Sequence, residues 1–215
     1  PEGGPTEVWR RPIGEGFSGL SIANSRVFTM YSTESDEFVV GLDAVDGREV
    51  WKRRTGARYT QTYGNGPLST PTVDGDRVYA VGASVSMTAA SVDTGAVLCR
   101  TRFQEDCVSE IPQWGFAGSP IVDGDRVITL VGGTPDAKVV AFHRETGDEV
   151  WRALSSVAAG AGVAQPTIID AGGVRQLIIC HPLAVSALNP ETGEVYREQP
   201  FEVDYNMTVA TPVHR

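Results

Sequence analysis

Apolar residues along this chain come in short runs, each stopped by Asp-Gly, Thr-Gly or Pro. In TPTVDGDRVYAV, from Thr70, one apolar stretch meets Asp74-Gly75 and resumes as β-branched and aromatic residues. Asp-Gly between two such stretches predicts a tight hairpin, because both turn positions tolerate positive φ. No long stretch keeps apolar residues at i, i+3, i+4 and i+7 without Gly, Pro or β-branched interruption, so little helix is expected.

Two strings recur in phase. LDAVDGREVW, SVDTGAVLC, FHRETGDEVW and LNPETGEVYR place glycines at Gly47, Gly95, Gly147 and Gly193, separated by 48, 52 and 46 residues. TPTVDGDRVYAV returns as SPIVDGDRVITLV from Ser119 and QPTIIDAGGVRQLII from Gln165, with SIANSRVFTM from Ser21 as a worn copy. Self-similarity at this period is a signature of propeller blades. Each unit reads as four short strands. The hairpin joins the first two. An Asp-x-x-x-Gly hinge joins the last two, with Asp43 or Asn189 bonding its own backbone and Gly47 or Gly193 taking the left-handed position. His143 stands at the hinge position of the third unit.

The pattern predicts an all-β fold in one domain over residues 1–215, a β-propeller of four-stranded antiparallel blades. Four complete blades fall at about 17–53, 68–103, 117–153 and 163–199, and residues 8–10 and 208–213 read as a terminal half-blade at each end. Trp51 and Trp151 follow the hinge and point into the seams between neighbouring sheets, and Trp9 shares their phase. Cys99 and Arg197 stand where the repeat expects Trp, and the second blade has SVSMTAASVD in place of an apolar third strand. Looser packing is expected there.

The hinge string followed by Trp, at blade spacing beside [ST]-P-x-V-x-x-G-x-x-V, resembles the pyrroloquinoline-quinone-like, or quinoprotein-type, propeller repeat. The resemblance covers almost the whole chain. It implies kinship both with quinone-dependent alcohol dehydrogenases and with non-catalytic propeller proteins of the bacterial cell envelope. Most complete members resembling this repeat carry seven or eight blades, so four imply a trimmed chain, a homo-oligomer, a partner supplying the rest of the propeller, or an unusual small ring closed within one chain.

Charge and chemistry narrow the function. Eighteen basic against twenty-seven acidic side chains give a net charge of -9, which repels nucleic acid and anionic lipid surfaces. The apolar run at 174–188 is broken by Arg175, Gln176, His181 and Pro182, so no membrane insertion is expected. The first residues, PEGGPTEVW, lack the pattern of a signal peptide, and the chain reads as mature or trimmed. A dehydrogenase of the family would need a calcium site and, in many members, adjacent cysteines; Cys99 and Cys107 are eight apart and read equally as a bridge or as inert thiols. Asp74/Asp76 and Asp123/Asp125 straddle hairpin glycines and read as turn residues rather than calcium ligands. His143, His181 and His214 are scattered, no G-x-S-x-G elbow occurs, and Asn206-Met207-Thr208 matches a glycosylation sequon.

The longer inter-blade segments, 54–66 and 104–116, carry Tyr59, Tyr63, Trp114 and Phe116 between polar residues, the mixture common at interfaces. They form the candidate interaction surface. The expected function is a non-catalytic protein- or peptide-binding scaffold of the bacterial envelope, periplasmic or extracellular by resemblance, without pyrroloquinoline quinone (PQQ) or calcium. The alternative is part of a PQQ-dependent oxidoreductase whose catalytic residues lie outside this chain.

Overall fold

Every repeat folds as an antiparallel meander of four strands. The computed structural model describes residues 4, 6–62, 64–84, 86–155, 162–201, 203–204 and 208–212. The first sheet contains β1 (Ser21–Ala23), β2 (Arg26–Ser32), β3 (Asp36–Asp43) and β4 (Glu49–Ala57), paired in that order. A two-stranded ribbon of β5 (Thr60–Gln61) and β6 (Gly64–Asn65) follows. The second sheet holds β7 (Thr72–Asp74), β8 (Arg77–Val81), β9 (Ser86–Ser91) and β10 (Val97–Arg102), after which comes one short helix, α1 (Phe103–Asp106). The third has β11 (Ile121–Asp123), β12 (Arg126–Gly133), β13 (Ala137–His143) and β14 (Glu149–Ala153). In the fourth are β15 (Thr167–Ala171), β16 (Val174–His181), β17 (Ala184–Leu188) and β18 (Val195–Pro200).

Local chemistry accounts for the turns. Asp74 pairs with Arg77 and Asp123 with Arg126 across two-residue hairpins. The worn first copy closes a loop of the same length with Asn24 and Ser25, both at positive φ (50° and 57°), whereas in the Asp-Gly copies the glycines Gly75 and Gly124 carry the positive φ. At the hinges, the Asp43 side chain accepts from Val45 N at 2.9 Å and Asn189 from Glu191 N at 2.8 Å. His143 substitutes with its ring, Nδ1 accepting from Glu145 N at 3.3 Å. A histidine can therefore hold a hinge built for an Asx side chain.

The seams explain why the hinge ends in Gly. At Gly95, where φ is +64°, an added Cβ would lie 2.5 Å from the Trp51 ring of the preceding blade. Trp151 covers Gly193 at 2.6 Å, and Trp9 covers Gly47 at 2.5 Å. Each indole N–H donates to the carbonyl just after the hinge residue: Trp9 to Ala44 (3.0 Å), Trp51 to Val92 (2.8 Å) and Trp151 to Pro190 (3.2 Å). Trp9 thus fills the seam as the last strand of a preceding blade would, although residues 8–10 carry no strand ladder. At the other end, the Thr208 hydroxyl donates to Cys180 O at 3.0 Å; residues 213–215 lie outside the described residues.

The seam between the second and third blades corrects the expectation of loose packing. Cys99 does take the Trp position, with Sγ 3.2 Å from where a Gly147 Cβ would stand. The space is filled from elsewhere. Phe103 of α1 and Phe116 of the following loop meet edge to face at 5.1 Å, and Phe103 stacks on Phe142 at 6.3 Å. The Tyr79 hydroxyl donates to Arg144 O at 3.0 Å, the same post-hinge carbonyl that an indole reaches in the other seams. Small residues on β9 leave room for this cluster, and Ser86, Met87, Thr88, Ala89 and Ala90 are all buried. Cys107 sits inside it. Cys99, Cys107 and Cys180 are free thiols, and burial raises Cys107 to about 11.

The acidic hairpin residues do more than turn the chain. Arg144 of the third blade pairs with Asp74 of the second at 2.7 Å. Arg175 of the fourth grips Asp123 of the third with both terminal nitrogens, at 2.8 and 2.5 Å. Asp74 and Asp123 are therefore clasps between successive blades. Among the described residues, no group of three or more His, Cys, Asp or Glu is arranged to hold a metal.

Candidate interaction surface on the loop face

An antiparallel meander sends its hairpin and its hinge to one face. The turn between its second and third strands, and the connection to the next blade, emerge on the other. Segments 54–66 and 104–116 are both inter-blade connections and share this loop face. The Tyr59 hydroxyl donates to Gln113 O at 2.6 Å and ties the two together. Burial raises the Tyr59 phenol above the ordinary value, so it stays a neutral donor.

A fully buried carboxylate anchors the platform. Glu37, near the start of β3, accepts from Ala83 N at 2.9 Å with Oε2 and from Tyr59 N at 3.2 Å with Oε1. Burial raises its carboxyl, while the two N–H groups pull the other way. Ala83 in turn offers its carbonyl to Phe116 N at 2.8 Å. Glu37→Ala would strand the buried amide of Ala83, which typically costs about 1–3 kcal/mol, and the half-buried amide of Tyr59, which costs less. We expect the Tyr59 and Ala83 amides to exchange hydrogen about tenfold faster or more in that variant. Unchanged protection would show that the platform does not depend on Glu37.

Of the four sequence candidates, Tyr59 and Trp114 are half-buried on this face. Phe116 is a correction: only 3% of it is exposed, and it packs with Phe103 in the seam. Gly115, at φ +71°, bends the chain so that the next side chain turns inward. Tyr63, Asn206 and Met207 lie outside the described residues.

Two further sites came from no sequence signal. The first strands of the blades line an axial cavity of about 490 Å³, with Ser21, Ile22, Thr70, Thr72, Ser119 and Gln165 in its wall. Among the described residues, the wall carries neither an aromatic ring nor a carboxylate. Hydroxyls cross-link it: Thr70 Oγ1 accepts from Gly19 N at 3.0 Å, and Ser119 Oγ from Thr70 N at 2.9 Å. The second site is a polar cluster in the fourth blade, buried at His181 and Ser186 and half exposed at Glu198. His181 Nε2 lies 3.0 Å from Ser186 Oγ, whose hydroxyl donates to Glu198 Oε2 at 2.9 Å. Since that hydroxyl has spent its hydrogen, Nε2 must carry the imidazole proton. Ser186 is fully buried, which keeps it from acting as a nucleophile on a bound substrate.

Residues 3–98 and 35–210 match the sequence model of the family described as outer membrane protein assembly factor BamB. No curated protein sequence matches the chain. Among solved structures, a europium-containing methanol dehydrogenase is similar, at 19% identity and TM-score 0.65, over 85% of this chain and 41% of that one. BamB from Moraxella catarrhalis is similar at 18% identity and TM-score 0.61, over 91% and 53%. A quinohemoprotein alcohol dehydrogenase from Pseudomonas putida HK5 is similar at 17% identity and TM-score 0.62, over 90% and 35%. The chain thus spans from about a third to about half of the length of these proteins. All three likenesses concern the fold, a propeller of four-stranded blades. Repeat phase, blade architecture and the match over most of its length together place this chain in the BamB family of pyrroloquinoline-quinone-like propellers.

Proposed function

We infer that the chain is a non-catalytic propeller scaffold of the bacterial cell envelope, working in the periplasm or at the cell surface, where its loop face binds a protein or peptide. The observation that carries this reading is the platform itself. Two inter-blade loops are locked together by Tyr59 and Gln113 and anchored from beneath by Glu37. A pre-ordered loop surface loses little conformational entropy on binding, which favours recognition. The envelope setting is supported by family membership, and no described helix is long and apolar enough to cross a membrane.

The wall of the cavity sets the expectation for cofactor binding by this chain alone. A flat quinone held with calcium calls for ring faces and carboxylate oxygens, and this lining offers neither. Titration with PQQ and calcium is therefore expected to leave the melting temperature unchanged. Saturable stabilisation by both together, beyond either alone, would overturn the reading in favour of a quinone-dependent oxidoreductase completed outside this chain. A photo-crosslinking residue at exposed Gln113, in the exporting cell, should trap one partner protein, and a Glu37→Ala background should abolish the crosslink. A crosslink indifferent to Glu37 would separate partner binding from the platform.

A further inference from the structure

The outer rim of the first two blades carries a concentration of cations that the overall charge of -9 does not anticipate. Lys52, Arg53 and Arg54 lie on β4, and Arg100 and Arg102 on the adjacent β10. Two of the five are committed elsewhere: Arg54 to Asp36 at 2.5 Å and Arg102 to Glu105 at 3.0 Å. Lys52 stands 5.4 Å over the Phe38 ring.

Arg53 and Arg100 are different. Neither has a carboxylate within ion-pair distance among the described residues. Each is nevertheless held in place across the seam. Arg53 reaches the second blade, donating to Thr94 O at 3.2 Å, and Arg100 reaches the first, donating to Arg54 O at 2.8 Å and to Thr88 Oγ1 at 3.2 Å. Carbonyls and a hydroxyl orient these guanidiniums without neutralising them. Burial, together with the like charges of Arg102 and Arg54, depresses Arg100 below its ordinary value. Crowding like charges is unfavourable unless an anion relieves it, and a planar guanidinium with free N–H groups suits a carboxylate.

We propose that the rim seam of the first two blades, built on Arg53 and Arg100 with Arg54 and Arg102 beside them, binds an acidic segment of a partner protein. This rests on the protein-binding reading above and names the chemistry of the partner at a second surface. A peptide segment fits better than a membrane or nucleic acid. The patch is local, and charges beyond a Debye length of about 8 Å are screened for a short segment, whereas an extended polyanion would also meet the acidic remainder of the molecule.

The test is fluorescence anisotropy with a labelled peptide alternating Glu and Ser, against its Gln and Ser counterpart, at low and high salt. Saturable binding of the Glu peptide alone is expected, weakened about tenfold or more by the double substitution Arg53→Ser with Arg100→Ser. Raising salt from about 0.05 M to about 0.5 M should weaken it further. An Arg53→Lys, Arg100→Lys variant, which keeps charge but not the planar fork, should lie between. Three results overturn the proposal: equal binding of the Gln peptide, an unchanged affinity in the folded double variant, or tighter capture of vesicles rich in anionic lipid through the same arginines. If the peptide fails while the Gln113 crosslink persists, only the rim assignment falls.

Discussion

Trp51→Ala is expected to destabilise the chain by about 3–5 kcal/mol, the range for truncating a large aromatic in a packed core. Its indole is 6% exposed, meets Phe28 at 5.8 Å and donates to Val92 O at 2.8 Å. Removing it opens a cavity between two sheets and leaves a carbonyl without its donor. Gly95→Ala should be damaging for the complementary reason. A Cβ there would stand 2.5 Å from the ring, on a backbone at φ +64° where L side chains are strained. We expect about 2 kcal/mol or more from that substitution. The two defects oppose each other, since without the ring the new methyl meets open space. The double variant should therefore lose less than the sum, by about 1 kcal/mol or more in a urea-melt double-mutant cycle. Additive losses would mean that ring and glycine do not press on one another, and a Trp51→Ala loss under about 1 kcal/mol would remove the indole from the seam altogether.

This coupling shows which parts of the molecule the sequence made legible. The hinge string gave Gly, then Trp four residues on, at a constant phase, and the structure places each Trp over the hinge Gly of the next blade. His143 was readable as a hinge residue by position alone, and it makes the hinge bond with its ring. Reading by phase failed where a seam borrowed material from outside it. Cys99 marked a missing Trp, yet Phe103 and Phe116, which lie outside the repeat strings, fill the same space together with Tyr79 of the second strand. Phe116 was assigned to the surface because it lies among polar residues; the inward bend at Gly115 is a backbone event that composition does not announce.

Long-range partners were equally hidden. Asp74 and Asp123 have a sufficient local explanation as turn residues, so nothing in the string pointed to Arg144 and Arg175 in the next blades. Glu37 looks like one more charge near a turn. Only the fold reveals that two amides, from β9's approach and from the Tyr59 loop, converge on its carboxylate.

His181 is the other residue the sequence left as a stray, and it should control how the protein responds to acid. Its side chain is 5% exposed, and Nδ1 finds no hydrogen-bond partner among the described residues. Protonating Nδ1 would bury a second N–H without an acceptor. Burial, with Lys138 contributing like charge, pushes the imidazole down to about 4, against the weaker opposing pull of Glu198. In the unfolded chain the ring titrates near the ordinary 6.5. Between these values the unfolded state holds a proton that the folded state refuses, so stability is full above pH 6.5 and is lost as pH falls toward 4. The whole step is on the order of 3 kcal/mol, from roughly 1.4 kcal/mol per pH unit across the gap. His181→Gln keeps a donor toward Ser186 while removing the titration. Urea melts at closely spaced pH values, wild type minus variant, should isolate a loss confined to the window between pH 6.5 and 4, with carboxylates such as Glu37 cancelling in the difference. A flat difference across that window would mean that the folded imidazole accepts its proton as readily as the unfolded one, and that the ring of His181 is open to water.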